Sequence, residues 1–236
     1  DLATGSDLKR LLREIGMQGF PMRVRLSSLE PGEIDRDLIE MVASSEWICR
    51  HFHIPLQSGA NTVLERMNRS YRTEDFVRLI RSIHASVPEG AVGVDVMAGF
   101  PGESVRAHRN TVALIRELPV SYLHVFPFSP RKGTPAMAFK GRHGAELVKE
   151  RASELRKLGK EKWSRFLEKS VAKIHEVLVE GWHSEGKGLA TGISDNYLPM
   201  VFRAERLEQG RFLPVKAERL ARGKVCGSVV KDRAAG

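Results

Sequence analysis

The segment HIPLQSGANTVLERMNR, from His53 to Arg69, carries polar side chains at a spacing that suits ligand binding. An apolar strand leads into a Gln-Ser-Gly turn, which places Gln57 and Ser58 at the strand's carboxyl end, where α/β sheets bind ligands. Arg69 follows the next helix and can return as a fixed cation for a carboxylate group. The alternative is an ordinary glycine turn with a surface arginine, because short motifs also match by chance.

Two carboxylates and two histidines extend this set of candidate residues. Glu30 follows the first predicted strand, and Asp95 lies among apolar neighbours of a later strand. A buried carboxylate without a partner is costly, so Asp95 favours a ligand or a local donor, whereas Glu30 could equally be a surface or helix-entry residue. His51 and His53 alternate on one strand without Cys, Asp or Glu at a ligand spacing beside them. We therefore interpret both histidines as supporting residues in the core and predict no metal site.

A strand-then-helix rhythm must position these residues. The predicted strands are Met22 to Leu26, His51 to Leu56, one within AVGVDVMAGFPGES and the last in YLHVFPF. The predicted helices begin at Ser6, Asp35, Thr73 and about Ser104. This alternation implies parallel strands covered by helices. Because no G-x-G-x-x-G or G-x-x-x-x-G-K sequence is present, we predict part of a β/α barrel and not a dinucleotide-binding fold. The chain opens within a helical pattern and without methionine, so we expect it to be part of a longer polypeptide.

Composition restricts the class of protein. The 236 residues carry 38 Lys and Arg against 29 Asp and Glu, a formal net charge of +9, which favours an acidic partner such as nucleic acid. Cys49 and Cys226 lie far apart in sequence, so no disulfide framework or cysteine metal spacing exists and a reducing cytoplasm fits best. No apolar run is long enough for a bilayer and no signal peptide is found, so we expect a cytoplasmic protein without membrane contact.

The composition changes after Pro135. A charged helix is predicted over 142–169, with Gly159 expected to weaken or bend it, and ten Lys and Arg stand against five Asp and Glu over 140–169. This surface could be solvated or could face phosphates. Five short strands beyond residue 170 predict a small OB-like β-barrel, a fold that commonly binds RNA through basic and aromatic side chains. The candidate RNA contacts, each of which could also be an ordinary surface residue, are Lys187, Asn196, Tyr197, Arg203 and Arg206.

Four motifs in order resemble one known family. RVRLSSLEPGEI, HFHIPLQSGANTVLERMNRSY, VGVDVMAGFPGES and LHVFPFSPRKGTPA resemble the carboxyl-terminal half of the radical S-adenosylmethionine domain of methylthiotransferases. The final segment, with EVLVEG and GISDNYLPMVF, resembles the TRAM domain that follows it. The resemblance implies α/β architecture, with a partial radical S-adenosylmethionine barrel over 1–139, a basic linker helix over 140–169 and an RNA-binding TRAM β-barrel over 170–236.

The branch of the family is expected from three of these segments. HFHIPLQSG, LHVFPFSPRKGTPA and SDNYLPM most resemble enzymes that methylthiolate threonylcarbamoyladenosine beside the tRNA anticodon. The branch that acts on isopentenyladenosine is the alternative. A third branch, which modifies a ribosomal protein aspartate, fits less well because its strand end does not usually carry Gln-Ser-Gly. The expected partner is thus the tRNA anticodon stem-loop, bound by a monomer.

The resemblance also assigns residues to S-adenosylmethionine, whose pocket needs a cation, hydrogen-bond acceptors and an apolar wall. Arg69 resembles the partner of the methionyl carboxylate, and Gln57 and Asp95 suit the ribose hydroxyls or the amino group. Glu30 suits the ribose or the ammonium group. The GFPGE turn is expected to support the adenine, although its glycines could simply permit a tight turn. Ser58, Gly99 and Phe126 complete the expected set.

Family members use 4Fe-4S clusters to cleave S-adenosylmethionine and to insert sulfur at C2 of the modified adenine. This sequence contains neither the CxxxCxxC motif nor the three cysteines of the amino-terminal domain of the family. Cys49 and Cys226 cannot replace them, because a cluster needs several thiolates at one site. We therefore expect this polypeptide alone to be catalytically inert.

Two functions of other classes stay open. One is an ordinary β/α enzyme that uses Glu30, Asp95 and the histidines for acid-base catalysis, although the sequence offers no obvious pair of a base and its orienting group. The other is an RNA-binding fragment without affinity for S-adenosylmethionine, whose binding to tRNA would be sensitive to salt.

Overall fold

A three-stranded parallel sheet lies at the centre of the first part of the chain. The computed structural model describes residues 7–184, 188–206 and 209–230. The strands β1 (His51–Gln57), β2 (Ala91–Ala98) and β3 (Tyr122–Pro127) pair in the order β1-β2-β3. In their register, Asp95 stands opposite Pro55 on one side and opposite His124 on the other. The alternation of strands and helices predicted this parallel arrangement, and the prediction is confirmed.

Six α-helices accompany the sheet in the described part of the chain: α1 (Leu8–Met17), α2 (Arg36–Ser44), α3 (Asn61–Arg66), α4 (Thr73–Ser86), α5 (Val105–Glu117) and α6 (Ala145–Ser170). The side chains of Asp35 and Ser104 cap α2 and α5 by accepting from backbone amides of the first turn, as their positions before apolar periodic segments predict. The predicted cap of α1 is wrong. Asp7 accepts from the Arg10 amide at 2.7 Å and caps this helix, and Ser6 lies outside the described residues.

The strand predicted from Met22 to Leu26 is also wrong. Within it, only Val24 forms a β-bridge, an isolated parallel one with Ile48. The alternating Arg23 and Arg25 do not form the polar face of a strand, because their guanidinium groups donate to the carbonyls of Glu176 and Ser194 at 3.3 Å each. This segment therefore connects the sheet region to the second part of the chain.

Helix α6 packs on both parts of the molecule. Its residues Ala152 and Leu155 belong to the hydrophobic core of the sheet, whereas Leu167 belongs to the core of the second part. The helix continues through Gly159. The missing side chain at Gly159 lets α6 approach the sheet, because a Cβ there would lie 3.2 Å from the Cβ of Leu123. The predicted division at residues 139 and 169 stays a prediction.

The second part is a closed β-barrel. Its strands are β4 (Ile174–Trp182), β5 (Leu189–Ser194), β6 (Pro199–Arg203), β7 (Phe212–Ala221) and β8 (Lys224–Val229), which close in the order β4-β5-β6-β8-β7. Two glycines permit close contact between strands: a Cβ at Gly192 would lie 2.3 Å from the Leu178 carbonyl oxygen, and one at Gly227 would lie 2.1 Å from that of Lys216. The prediction of five short strands forming a small barrel is confirmed.

No helix among residues 7–184, 188–206 and 209–230 combines the length and apolar character required to cross a membrane.

Candidate ligand site on the parallel sheet

Gln57 ends β1 in a backbone conformation that is unusual for a side-chain-bearing residue. Its φ is +56°, at the point where the register between β1 and β2 shifts. Such a residue costs on the order of 1–3 kcal/mol and persists where its surroundings fix it, often at functional sites. The hydroxyl of Tyr71 helps to fix it by donating to the carbonyls of Pro55 and Leu56 at 2.8 and 3.1 Å. Within the described residues, the Gln57 side-chain amide has no hydrogen-bond partner and is available for a ligand.

Glu30 and Arg69 form an ion pair beside this strand end. The Nη1 atom of Arg69 donates to both carboxylate oxygens of Glu30, at 2.7 and 3.0 Å. The backbone amide of Leu29 donates to the carbonyl of His53 at 3.1 Å, which brings Glu30 to β1. The side chain of Arg69 is 27% exposed and that of Glu30 is 49% exposed. The pair is therefore accessible and can exchange its mutual contact for contacts with a ligand.

Asp95 is bound by two imidazoles. Its Oδ1 atom lies 2.8 Å from Nε2 of His53 on β1 and 3.4 Å from Nδ1 of His124 on β3. Burial pushes the pKa of Asp95 upward, but the hydrogen bonds and charges of His53 and His124 outweigh it, so the pKa lies below its ordinary value. On its other side, the His53 ring places Nδ1 3.4 Å from Oγ of Ser27. The expected local partner of Asp95 is thus a pair of histidines on the neighbouring strands.

Sequence reasoning missed His124. Residue spacing along one strand relates His53 neither to Asp95 nor to His124. The signal lies in the register of three parallel strands, where His124 stands opposite Asp95 and alternate residues share a face. A histidine two residues into the predicted strand YLHVFPF could have been placed there once the strand order was known.

His51 and Tyr122 form a second polar pair on this face of the sheet. The Nε2 atom of His51 lies 2.8 Å from the Tyr122 hydroxyl. Gly93 makes the contact possible, because a Cβ at this position would lie 2.0 Å from Cζ of Tyr122. Burial, followed by the nearby charge of Arg25, lowers the pKa of His51 to about 3. His51 is therefore neutral at physiological pH, as expected of a histidine in the core.

The other predicted cofactor residues lie at or near the same edge of the sheet. Ser58 is fully buried, with its Oγ atom 3.5 Å from that of Thr111 on α5. Gly99 has a φ of +77°, and a Cβ there would lie 2.6 Å from Val148, so packing of α6 also requires glycine. Phe126 is 49% exposed and shares a strand face with His124. Their contacts with a cofactor stay predictions.

Two of the predicted RNA-contact residues lie at the junction between the sheet and the barrel. Asn196 is buried, and its side-chain amide donates to the Glu89 carbonyl at 2.8 Å. Tyr197 is half-buried and its ring lies under the guanidinium of Arg25, 4.7 Å from the ring centroid. An ion pair between Arg50 and the buried Asp195 closes the same junction. RNA contacts by Asn196 and Tyr197 stay predictions, and these packing contacts give both side chains a structural role.

The remaining candidates belong to the barrel surface. Arg203 ends β6 and is exposed, and Arg206 is exposed in the connection that follows. Lys187 lies outside the described residues.

An aromatic cleft of about 380 Å³ opens between β3, α6 and the barrel. The ring of Tyr122 lies 5.5 Å from that of Tyr197 and 6.0 Å, edge-on, from that of Trp163. Arg156 and Lys160 line the same cleft, are exposed, and have no ion-pair partner within the described part of the chain. Aromatic faces next to unpaired cations suit a nucleobase and its phosphate.

The chain is similar to radical SAM proteins and to tRNA methylthiotransferases. The profile of the Radical SAM superfamily matches residues 3–115. The tRNA-2-methylthio-N(6)-dimethylallyladenosine synthase of Pelotomaculum thermopropionicum is 33% identical over 91% of this chain and 48% of its own length. The threonylcarbamoyladenosine tRNA methylthiotransferase of Thermotoga maritima is 32% identical over 92% of this chain and 49% of its own length. The enzyme of the same name from Aquifex aeolicus is 37% identical over 74% of this chain and 43% of its own length. The chain thus spans about half the length of the curated relatives it matches.

A solved structure of Elp3 from Methanocaldococcus infernus is 13% identical, with a TM-score of 0.43, over 87% of this chain and 65% of that one. This likeness is too low to support an inference about function.

Proposed function

We propose that this chain is a member of the radical SAM superfamily and forms the S-adenosylmethionine-binding and tRNA-binding part of a tRNA methylthiotransferase, because residues 3–115 match that superfamily and most of the chain is similar to such enzymes. The proposed substrate is threonylcarbamoyladenosine beside the anticodon, because the HFHIPLQSG and LHVFPFSPRKGTPA segments resemble that branch. Relatives of both branches match the chain, so the isopentenyladenosine derivative is the second candidate.

The observation that carries the proposal is the accessible Glu30–Arg69 ion pair. S-adenosylmethionine presents an α-carboxylate and an α-ammonium group on one carbon, and a carboxylate paired with a guanidinium matches both charges. Arg69 would receive the ligand carboxylate through charge-assisted hydrogen bonds, and Glu30 would receive the ammonium group. The mutual contact of Glu30 and Arg69 would then be replaced by two contacts to the ligand, which limits the cost of opening the pair.

The nucleoside part would lie along the carboxyl ends of β1 and β2. Gln57 would donate to or accept from a ribose hydroxyl, and Asp95 retains Oδ2 for the same purpose, because its recorded contacts with His53 and His124 use Oδ1. Gly99 in the GFPGE turn and Phe126 on β3 would border the adenine, with Ser58 holding the turn after β1 from beneath. S-adenosylmethionine supplies the radical and methyl chemistry of the family, and the role proposed for this chain is to bind and orient it.

Neither cysteine fits an iron–sulfur cluster. Cys49 is buried beside the sheet, where burial raises the pKa of its thiol against the opposing charges of Arg25 and Arg23. Cys226 lies on β8 of the barrel. Because two thiols on separate parts of the molecule cannot bind one cluster, we propose that residues 1–236 assemble none and are inert by themselves.

We propose that the barrel is a TRAM domain and that tRNA lies across the junction. The aromatic cleft with Arg156 and Lys160 supports this placement, because it brings stacking surfaces and free cations to the side of the sheet that also carries His124. Arg203 would extend the basic surface onto the barrel. The net charge of +9 favours the same partner.

Calorimetric titration with S-adenosylmethionine tests the ligand site. The wild-type chain should bind, and Arg69→Ala should weaken binding by about 10- to 100-fold, because a charge-assisted hydrogen bond contributes about 1.5–3 kcal/mol. Gln57→Ala should weaken it by about 2- to 10-fold, which corresponds to one neutral hydrogen bond.

Arg36→Ala is the matched control, because Arg36 pairs with Glu40 on the exposed face of α2. The affinity of this variant for S-adenosylmethionine should equal that of the wild type. Equal binding by Arg69→Ala and the wild type would remove the Glu30–Arg69 pair from the site. Absence of binding by a folded wild-type chain would contradict the proposal and favour an RNA-binding fragment.

A further inference from the structure

We propose that His53, Asp95 and His124 form a binding site for one divalent transition-metal ion, of which Zn²⁺ is the most suitable. One ring nitrogen of His53, a carboxylate oxygen of Asp95 and one ring nitrogen of His124 all lie within 4.8 Å of one another. Two imidazoles and one carboxylate form a ligand set that Zn²⁺, Co²⁺ and Fe²⁺ share. Asp95 also belongs to the proposed S-adenosylmethionine site, but the metal is tested on the chain without S-adenosylmethionine or RNA, so the two proposals can fail separately.

The distances agree with an ion among these three groups. Ligand atoms around a tetrahedral Zn²⁺ stand about 3.3 Å apart when the metal–ligand bonds are about 2.0–2.1 Å. The recorded separations from Asp95 Oδ1 are 2.8 Å to His53 and 3.4 Å to His124, on either side of that value. The side chain of His124 is 48% exposed, so its ring is free to make the small rotation that binding requires.

The scaffold holds the ligands as a metal site requires. Each comes from a different strand of a parallel sheet whose register places Asp95 opposite His124, so the backbone separates them by a fixed distance. His53 and Asp95 are largely buried, and Ser27 lies within hydrogen-bond distance of the far nitrogen of His53, which orients the imidazole with Nε2 toward the ion. His124 is exposed, so the fourth position faces solvent and is open to water or a ligand.

The charges around the site favour a cation. The recorded polar contacts of Asp95 are with the two histidines, and neither Lys nor Arg pairs with its carboxylate within the described residues. Tyr122, the other polar group beside His124, is neutral. A carboxylate that no Lys or Arg neutralises, together with two imidazoles, is a donor set that suits a divalent transition-metal ion.

Metal titration tests the site directly. Zn²⁺ added to the metal-free chain should bind at one ion per molecule, measured by calorimetry and by elemental analysis after gel filtration. His124→Ala should weaken binding by more than about 100-fold, since even the loss of an outer-shell partner costs about 10- to 100-fold. Ser27→Ala should weaken it less than His124→Ala does. His84→Ala and Cys226→Ser, which change a histidine and a thiol outside the cluster, should bind like the wild type.

A gain-of-signal variant separates ligand loss from misfolding. His124→Cys should retain Co²⁺ binding and add a thiolate-to-cobalt charge-transfer band that the wild type lacks. Failure of the folded wild type to bind one Zn²⁺ would overturn the proposal, as would undiminished binding by His124→Ala. A thiolate band in the wild-type cobalt spectrum would also overturn it, because Cys49 or Cys226 would then be the ligand.

Discussion

The interior of the barrel and the polar face of the parallel sheet are built in opposite ways. The barrel encloses an apolar core, lined by Val177, Val179, Ala190, Leu198, Met200, Phe202, Val215, Ala217 and Val225. The sheet instead presents alternating polar residues on one face, namely His51, His53, Asp95, Tyr122 and His124. A filled apolar interior leaves the barrel only its surface for recognition, whereas the partnered polar groups of the sheet form a face that can receive a ligand.

The largest expected difference between the barrel and the sheet face is in the loss of unfolding free energy when a phenylalanine is removed. Phe202→Ala should lower the free energy of unfolding by about 3–5 kcal/mol, because the ring is fully buried in the barrel and its loss leaves a cavity. Phe126→Ala should change it by less than about 1 kcal/mol, because the ring on the sheet is 49% exposed. Urea unfolding followed by circular dichroism measures both. Similar losses for the two variants would show that the sheet face is also part of a closed core.

A smaller difference should appear as a dependence on pH. The pKa of His51 is about 3 in the folded chain and 6.5 when unfolded, so protonation favours the unfolded state. The stability from keeping His51 neutral is fully present above pH 6.5 and falls toward pH 3, by about 1.4 kcal/mol per pH unit at most. His51→Gln should flatten the loss of stability between pH 7 and 5, measured by urea unfolding at each pH.

His84→Gln is the control for this prediction, since His84 is exposed on α4 and should leave the slope unchanged. A slope that is the same in His51→Gln and the wild type would mean that the buried imidazole does not resist protonation.

Local patterns in the sequence predicted much of this architecture. The strand-then-helix rhythm predicts β1, β2 and β3, the short strands beyond residue 170 predict the barrel, and the caps Asp35 and Ser104 stand where a polar residue precedes an apolar periodic segment. The segment from Met22 to Leu26 also alternates, but its arginines bind carbonyls of the barrel. Nothing within those five residues distinguishes a solvent-facing polar side chain from one that connects two parts of the molecule.

Residue spacing proposes Glu30, Gln57, Arg69 and Asp95 as ligand contacts, which stay predictions, and does not contain their pairings. Glu30 and Arg69 were each assigned to a ligand, and the structure joins them to each other across 39 positions of sequence. His124 was missed because its relation to Asp95 depends on strand order and register. Asn196 was expected at an RNA surface and lies buried on Glu89, a contact that depends on how the barrel meets the sheet. Each of these pairings depends on tertiary contacts, which residue spacing alone does not predict.

Hydrogen–deuterium exchange with and without S-adenosylmethionine tests the central claim most directly, namely that the ligand binds at the sheet edge and not in the barrel. Binding should slow exchange in 27–31, 57–60 and 66–71 and leave β4 to β8 unchanged, and Arg69→Ala should need about 10- to 100-fold more S-adenosylmethionine for the same protection. Protection confined to the barrel strands, or protection at the sheet edge with the same concentration dependence in Arg69→Ala and the wild type, would contradict the account.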